Sequence, residues 1–140
     1  MNISTHTDGS IEFVQAMEKL RFPIGKFNHE AHIRLAWIYL QKYQFLEGMI
    51  AFRDTLKRFA AHHGAAEKYS ETITLIFVLL VHDRMALSPC QDWPSFQESN
   101  PDLFGGWRAL LSKLYDQKIL DLPSVKKQFH LPDRWRTTSS

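Results

Sequence analysis

The chain has 140 residues, one cysteine and a net charge of +2, with 44% hydrophobic, 23% charged and 13% aromatic residues. That length favours one domain able to bury its own core. A single thiol excludes an internal disulfide framework and the multi-thiolate zinc and iron–sulfur sites, and the small charge offers no field for nucleic acid or an anionic membrane.

The first ten residues, MNISTHTDGS, are polar and carry no apolar signal core. Residues 1–8 read as flexible, as does the tail at 136–140. A first helix is expected after Ser10, with Phe13, Met17 and Leu20 as its buried stripe. Pro23 and Gly25 end it. Asn28 is placed to cap a second helix over about 29–43. A third runs over about 46–62, with Met49, Phe52, Leu56 and Phe59 at steps of three and four, and Gly64 just past its end.

A fourth helix is expected over 66–87. Its second half, Ile73 to Val81, is apolar all round apart from Thr74, which marks a helix buried on several sides at the centre of a bundle. The run is nine residues long, against the roughly 20 needed to span a bilayer. The stretch from Ser88 to Trp107 reads as a connector with short helical turns, one capped by Asp92 and one by Asn100 before Pro101. Gly105 and Gly106 interrupt it. A helix carrying Trp107, Leu110, Leu111, Leu114 and Tyr115 follows. A last short one starts near Pro123, with Val125 and Phe129 inward. The expectation is a single all-α domain over residues 1–140, a compact bundle of five to seven helices, in a cytoplasmic protein.

The chemistry concentrates at one end of this bundle. At about 100° per residue, His29 and His32 both fall on the apolar face of the second helix. The stripe Phe52, Leu56, Phe59 of the third runs on to His63. On the fourth, Glu71, Leu75, Val78 and His82 align. Glu71 and His82 lie three turns apart, roughly 16 Å, and cannot share a metal. If consecutive helices pack antiparallel, His29, His32, His63 and Glu71 converge, with Tyr69 and Thr72 beside them.

Two imidazoles one turn apart, completed by a third His or a carboxylate, form the open three-ligand set of catalytic zinc or of two-His-one-carboxylate iron. Glu30, Glu71 or Tyr69 would orient the rings. The plain alternative is structural. His29 and His32 would be satisfied polar groups in a first helical turn. His63 would complement the macrodipole at a helix C-terminus and Glu71 at an N-terminus. A metal-free scheme uses His29 or His32 as general acid or base with Glu71 as orienting carboxylate. His82, His6 and His130 read as structural. Cys90 follows Pro89 with no neighbouring His in the sequence, so a thiol nucleophile there is open but unsupported. No Glu-x-x-His, His-Glu-x-x-His, phosphate loop or Gly-x-Ser-x-Gly elbow is present. The basic C-terminal end KKQFHLPDRWR has no nucleic-acid reading motif, and Trp135 is expected to pack the tail back onto the bundle.

The segments FNHEAHIRLAWIYL and HGAAEKYSETIT resemble a group of small bacterial helical proteins without an assigned reaction. The shared pattern is Phe-x-His-x-x-His, Ala-Trp-x-Tyr-Leu, His-Gly and Lys-Tyr-x-Glu-Thr-Ile-Thr. It falls on Phe27, His29, His32, Ala36, Trp37, Tyr39, Leu40, His63, Gly64 and 68–74. Ser70 stands at the x of this pattern, where many members of the group have His, which argues against that position as a required ligand here. The resemblance implies a small enzyme or binding domain and groups His29, His32, His63 and Glu71 as one constellation.

The leading expectation is a metal-assisted enzyme acting on a small organic molecule. His29, His32 and His63 would hold a divalent metal, iron or zinc. Glu71 would be ligand or base, and Tyr69 and Thr72 would orient the substrate. The alternatives are a non-enzymatic module binding a small molecule or partner protein, with structural histidines, and a metal-free His–Glu enzyme. No membrane or nucleic-acid partner is expected.

Overall fold

The computed structural model describes residues 9–89 and 92–134. The expectations for segments 1–8 and 136–140, His6, Cys90 and Trp135 lie outside them. Seven α-helices form among the described residues, with no strand: α1 (Ser10–Glu18), α2 (His29–Lys42), α3 (Phe45–His62), α4 (Glu71–Leu87), α5 (Trp93–Ser99), α6 (Trp107–Leu114) and α7 (Gln117–Leu120). Short 3₁₀ turns lie at Ile24–Lys26, Ala66–Lys68, Pro101–Leu103 and Pro123–Lys126. The all-α expectation holds.

Local chemistry places several helix ends. Asn28 Oδ1 accepts the Ala31 N–H at 2.9 Å and opens α2. Asp92 Oδ1 does the same for the Ser95 N–H at 2.8 Å and opens α5. Gly64, at φ 68°, closes α3. Its N–H bonds Ala61 O at 3.1 Å and the Ala65 N–H bonds Ala60 O at 2.8 Å, the paired closure built around a left-handed residue. α1 closes with the same pattern on a residue with a side chain, Leu20 at φ 62°.

One boundary differs from expectation. The helix expected from residue 66 starts at Glu71, because Ser70 takes the cap position and accepts the Ile73 N–H at 3.2 Å. Tyr69 is extended, at φ −69° and ψ 135°. Residues 66–70 therefore form an open turn between α3 and α4, and this turn becomes one wall of a cavity.

Packing gives the second departure. The most enclosed helix is α2, not α4: Leu35 to Leu40 are all buried without a break. α3 and α4 cover two of its sides. A third is closed by α5, whose Trp93 and Phe96 sit 5.3 and 6.1 Å from the Trp37 ring. On α4, Phe77, Val78 and Val81 are buried, but Leu79 and Leu80 are only half-buried and Leu87 is 74% exposed. The apolar run of α4 thus outlasts the core available to cover it. α2 and α3 approach closely at Gly48, where a Cβ would meet Tyr39 O at 2.9 Å.

Polar ties fix the rest. Tyr39 donates to Glu18 and lies 3.0 Å from Thr55 Oγ1, joining α1, α2 and α3. Arg84 holds Asp102 with two bonds, at 2.8 and 2.6 Å, and Asn100 with a third at 3.0 Å. This pins the Pro101–Leu103 turn onto α4. No described helix is long and apolar enough to cross a membrane.

Candidate functional site

His29 and His32 occupy the first turn of α2, with ring centroids 5.9 Å apart and planes at 86°. They diverge around Phe77. His29 stacks on Trp107 at 4.5 Å and 16°, and meets the Phe77 ring at 4.9 Å. Its Nε2 is 2.8 Å from Leu103 O. A carbonyl only accepts, so neutral His29 carries its proton on Nε2. Burial lowers its pKa, and Arg108 adds to the lowering against the opposing effect of the Leu103 bond. His29 is thereby tied to the turn that Arg84 pins.

His32 differs. It stacks on Phe52 at 5.3 Å and 9°. Its Nε2 is sealed from water and has no hydrogen-bond partner among the described residues. Burial, with a smaller contribution from His29, pushes its pKa down to about 3. The imidazole is therefore neutral at physiological pH.

His63 is the residue that ends α3. Its ring lies 4.6 Å from Phe59 and 5.0 Å from His62, and its Nε2 is also buried without a partner. Among the described residues its ring contacts lead to His32 through Phe59 and Phe27. Phe59 lies 5.1 Å from Phe27, and Phe27 lies 6.4 Å from His32. Among the described residues, no three His, Cys, Asp or Glu side chains form a group able to hold a metal ion.

Glu71 sits in a separate polar cluster. Arg53 Nε donates to both of its oxygens at 2.9 Å, and the Tyr69 hydroxyl donates to Oε1 at 2.7 Å. Burial and then the Glu71 carboxylate push the Tyr69 pKa upward. Glu71 in turn raises that of Arg53. No hydrogen bond links Glu71 to His29, His32 or His63 among the described residues, so the carboxylate expected to orient an imidazole is held by a guanidinium instead.

Thr72 is also placed differently from expectation. It is fully buried, donates to Gln128 O at 2.6 Å and accepts the His130 N–H at 3.0 Å. With both bonds made, it anchors the C-terminal segment. Tyr115 donates to His130 O at 2.6 Å and Ser70 Oγ donates to Val125 O at 3.2 Å, holding the same segment. His82, on the far part of α4, packs its ring 4.2 Å from Phe45.

What the fold builds beside His32 is a cavity of about 370 Å³ between α2, α3 and the 66–74 segment. Phe27, Leu56, Phe59 and Ile73 form its apolar walls, His32 lines its inner side, and Lys68, Tyr69, Ser70 and Thr74 complete the 66–74 side. This volume falls within the range of small-ligand sites, and the mix of apolar walls with a few polar groups is typical of them. Trp37 Nε1 and Gln41 Oε1 are also buried without partners among the described residues, but neither residue lines the cavity. His29, His63, Glu71 and Thr72 do not line it either.

Arg53, Phe27 and Lys68 matter here and were not assigned roles from the sequence. Phe27 and Lys68 were visible within the motif pattern. Arg53 carried no local signal, since its pairing with Glu71 crosses two helices. Comparison with protein-family models, with curated proteins and with solved structures finds no match to this chain.

Proposed function

We propose that the protein binds a small organic molecule in the cavity beside α2, with His32 as its hydrogen-bonding anchor. One observation carries this reading: a cavity with aromatic walls lined by His32, a neutral imidazole whose Nε2 is buried without a partner among the described residues, so that a ligand pairs with it by displacing the wall atoms that now cover it. A buried polar atom left unpaired costs about 1–3 kcal/mol. A ligand group that pairs with it relieves that cost and gains specificity. Neutral imidazole can serve as acceptor or donor, according to its tautomer.

Tyr69 supports the same reading as a wall residue held in place. Its hydroxyl is fixed by Glu71, which Arg53 fixes in turn, so the open 66–70 turn has a rigid support. Proton transfer by His32 requires a substrate that can work with a base this weak.

Fragment screening by heteronuclear NMR tests the proposal. Small aromatic or branched fragments are expected to shift the resonances of Phe27, His32 and Ile73. His32→Phe is expected to fold and to lose the preference for fragments carrying a polar group. A broad library that leaves those resonances unmoved at millimolar concentration ends the proposal.

The metal-assisted reading keeps one observation in its favour. His32 and His63 both have a buried Nε2 without a partner among the described residues, and neutral imidazole is the ligating form. It requires α3 and α2 to shift so that the two rings and a third ligand meet. Elemental analysis of untagged protein grown with iron and with zinc decides it. Stoichiometric metal lost in His32→Ala and His63→Ala supports it, and substoichiometric metal in both media refutes it.

A further inference from the structure

The charges around the cavity are not balanced, and this narrows the class of ligand. Lys68 lines the cavity and is exposed, so it stands at the rim. The Lys57 ammonium sits 5.4 Å from the centre of the Tyr69 ring, on another wall residue. Neither lysine has an ion-pair partner among the described residues. α4, 17 residues long, starts at this wall, where Ser70 caps it and Ile73 and Thr74 line the cavity. Its N-terminus adds partial positive charge there.

The nearby acids do not cancel this. Glu71 is held by Arg53 and Tyr69, and Asp54, 3.4 Å from the same guanidinium, is exposed and does not line the cavity. Glu67 adjoins Lys68 in sequence but does not line the cavity, and its backbone carbonyl accepts a bond from a third lysine, Lys126, at 2.7 Å. The interior is of the opposite character. The Phe27 and Phe59 rings, 5.1 Å apart at 49°, face it together with Leu56 and Ile73. The hydroxyl of Ser70 already donates to Val125 O and accepts the Ile73 N–H. The Tyr69 hydroxyl donates to Glu71, which leaves His32 and Thr74 as the inner polar contacts and Lys68 as the outer one.

We infer that this cavity takes an amphipathic carboxylate: an aromatic or branched apolar body seated between Phe27, Phe59, Leu56 and Ile73, with its carboxylate at the Lys68 rim. This deepens the proposed binding function and rests on it. A carboxylate suits the rim better than a phosphate ester, since one ammonium and one capped helix end do not supply the several donors that a phosphate's oxygens use. A polar group on the body, where there is one, pairs with His32.

Calorimetry with matched probes tests the class. Phenylacetate, indole-3-acetate and 4-methylpentanoate are compared with their primary amides, at low and at high salt. The acids are expected to bind about fivefold or more tightly than the amides at low salt, the scale of a rim ion pair. The advantage should shrink at high salt. Lys68→Met, a substitution in an exposed turn, should reduce the acid-over-amide ratio to within about twofold. A thermal melt confirms that the variant folds. Amides binding as tightly as acids, or an acid preference surviving in Lys68→Met, overturns the carboxylate inference while the cavity remains a binding site. Failure of acids and amides alike to bind overturns both.

Discussion

Lowering the pH is the most direct perturbation of His32. Its pKa lies near 3 in the fold, against about 6.5 for a free imidazole. The unfolded chain therefore takes up the proton first, and stability falls as pH drops from about 6.5 towards 3. Each pH unit in that window is worth about 1.4 kcal/mol, so His32 removes up to about 2 kcal/mol between about pH 6.5 and about pH 4.5. Other groups titrate in the same range, and His29 is shifted in the same direction. The difference between wild type and His32→Phe isolates the contribution. Urea unfolding at a series of pH values supplies it by linear extrapolation. Near pH 8, His32→Phe should be as stable as wild type or more so, because it removes an unpaired buried nitrogen whose cost is about 1–3 kcal/mol. Towards pH 4.5 the variant's advantage should widen by up to about 2 kcal/mol. Two unfolding curves that stay parallel across the window would refute the argument, since they would mean that His32 is not held neutral in the fold.

Three further outcomes follow from the packing. Gly48→Ala should destabilise by about 1–3 kcal/mol in thermal unfolding, because its Cβ would sit 2.9 Å from the Tyr39 carbonyl oxygen, outweighing the gain of about 1 kcal/mol in helix propensity. Thr72→Val keeps the shape but leaves Gln128 O and the His130 N–H unpaired. It should cost about 1–3 kcal/mol and speed proteolysis within 123–130; an unchanged cleavage rate would contradict the anchoring role. Arg84→Lys cannot reproduce the forked contact to Asp102 and should weaken amide-exchange protection in the Pro101–Leu103 turn. Protection equal to wild type would show that the turn is held by packing alone.

Much of the fold was legible in the sequence because its signals are local. Asn28, Asp92 and Gly64 act on backbone groups within four residues of themselves, so a cap can be recognised without knowing what the helix packs against. The stripe Phe52, Leu56, Phe59 marks the buried side of α3 through helical period alone. Helical projection also placed both His29 and His32 on the inner face of α2. The boundary before Glu71 was missed although Ser70, a good cap residue, stands immediately before it.

Only the tertiary structure decided which groups meet. His29 and His32 share one turn, yet one finds Leu103 O and Trp107 and the other finds Phe52 and a cavity wall. Those partners come from α6, the 101–103 turn and α3, whose positions depend on crossing angles that sequence spacing does not encode. Glu71 was expected beside imidazoles and lies instead against Arg53 and Tyr69, because helix packing selects among several chemically reasonable partners. The sequence by itself determined all-α character, the caps at Asn28, Asp92 and Gly64, and most of the apolar faces, whereas the first helix is capped by Gly9 and not by Ser10. The three-dimensional packing divided the expected His/Glu constellation into His29 bonded to Leu103 O, Glu71 in a separate cluster with Arg53 and Tyr69, His63 at the end of α3, and His32 beside a cavity. Side-chain identity is local, whereas the partner of a buried polar group is set by residues distant in the chain.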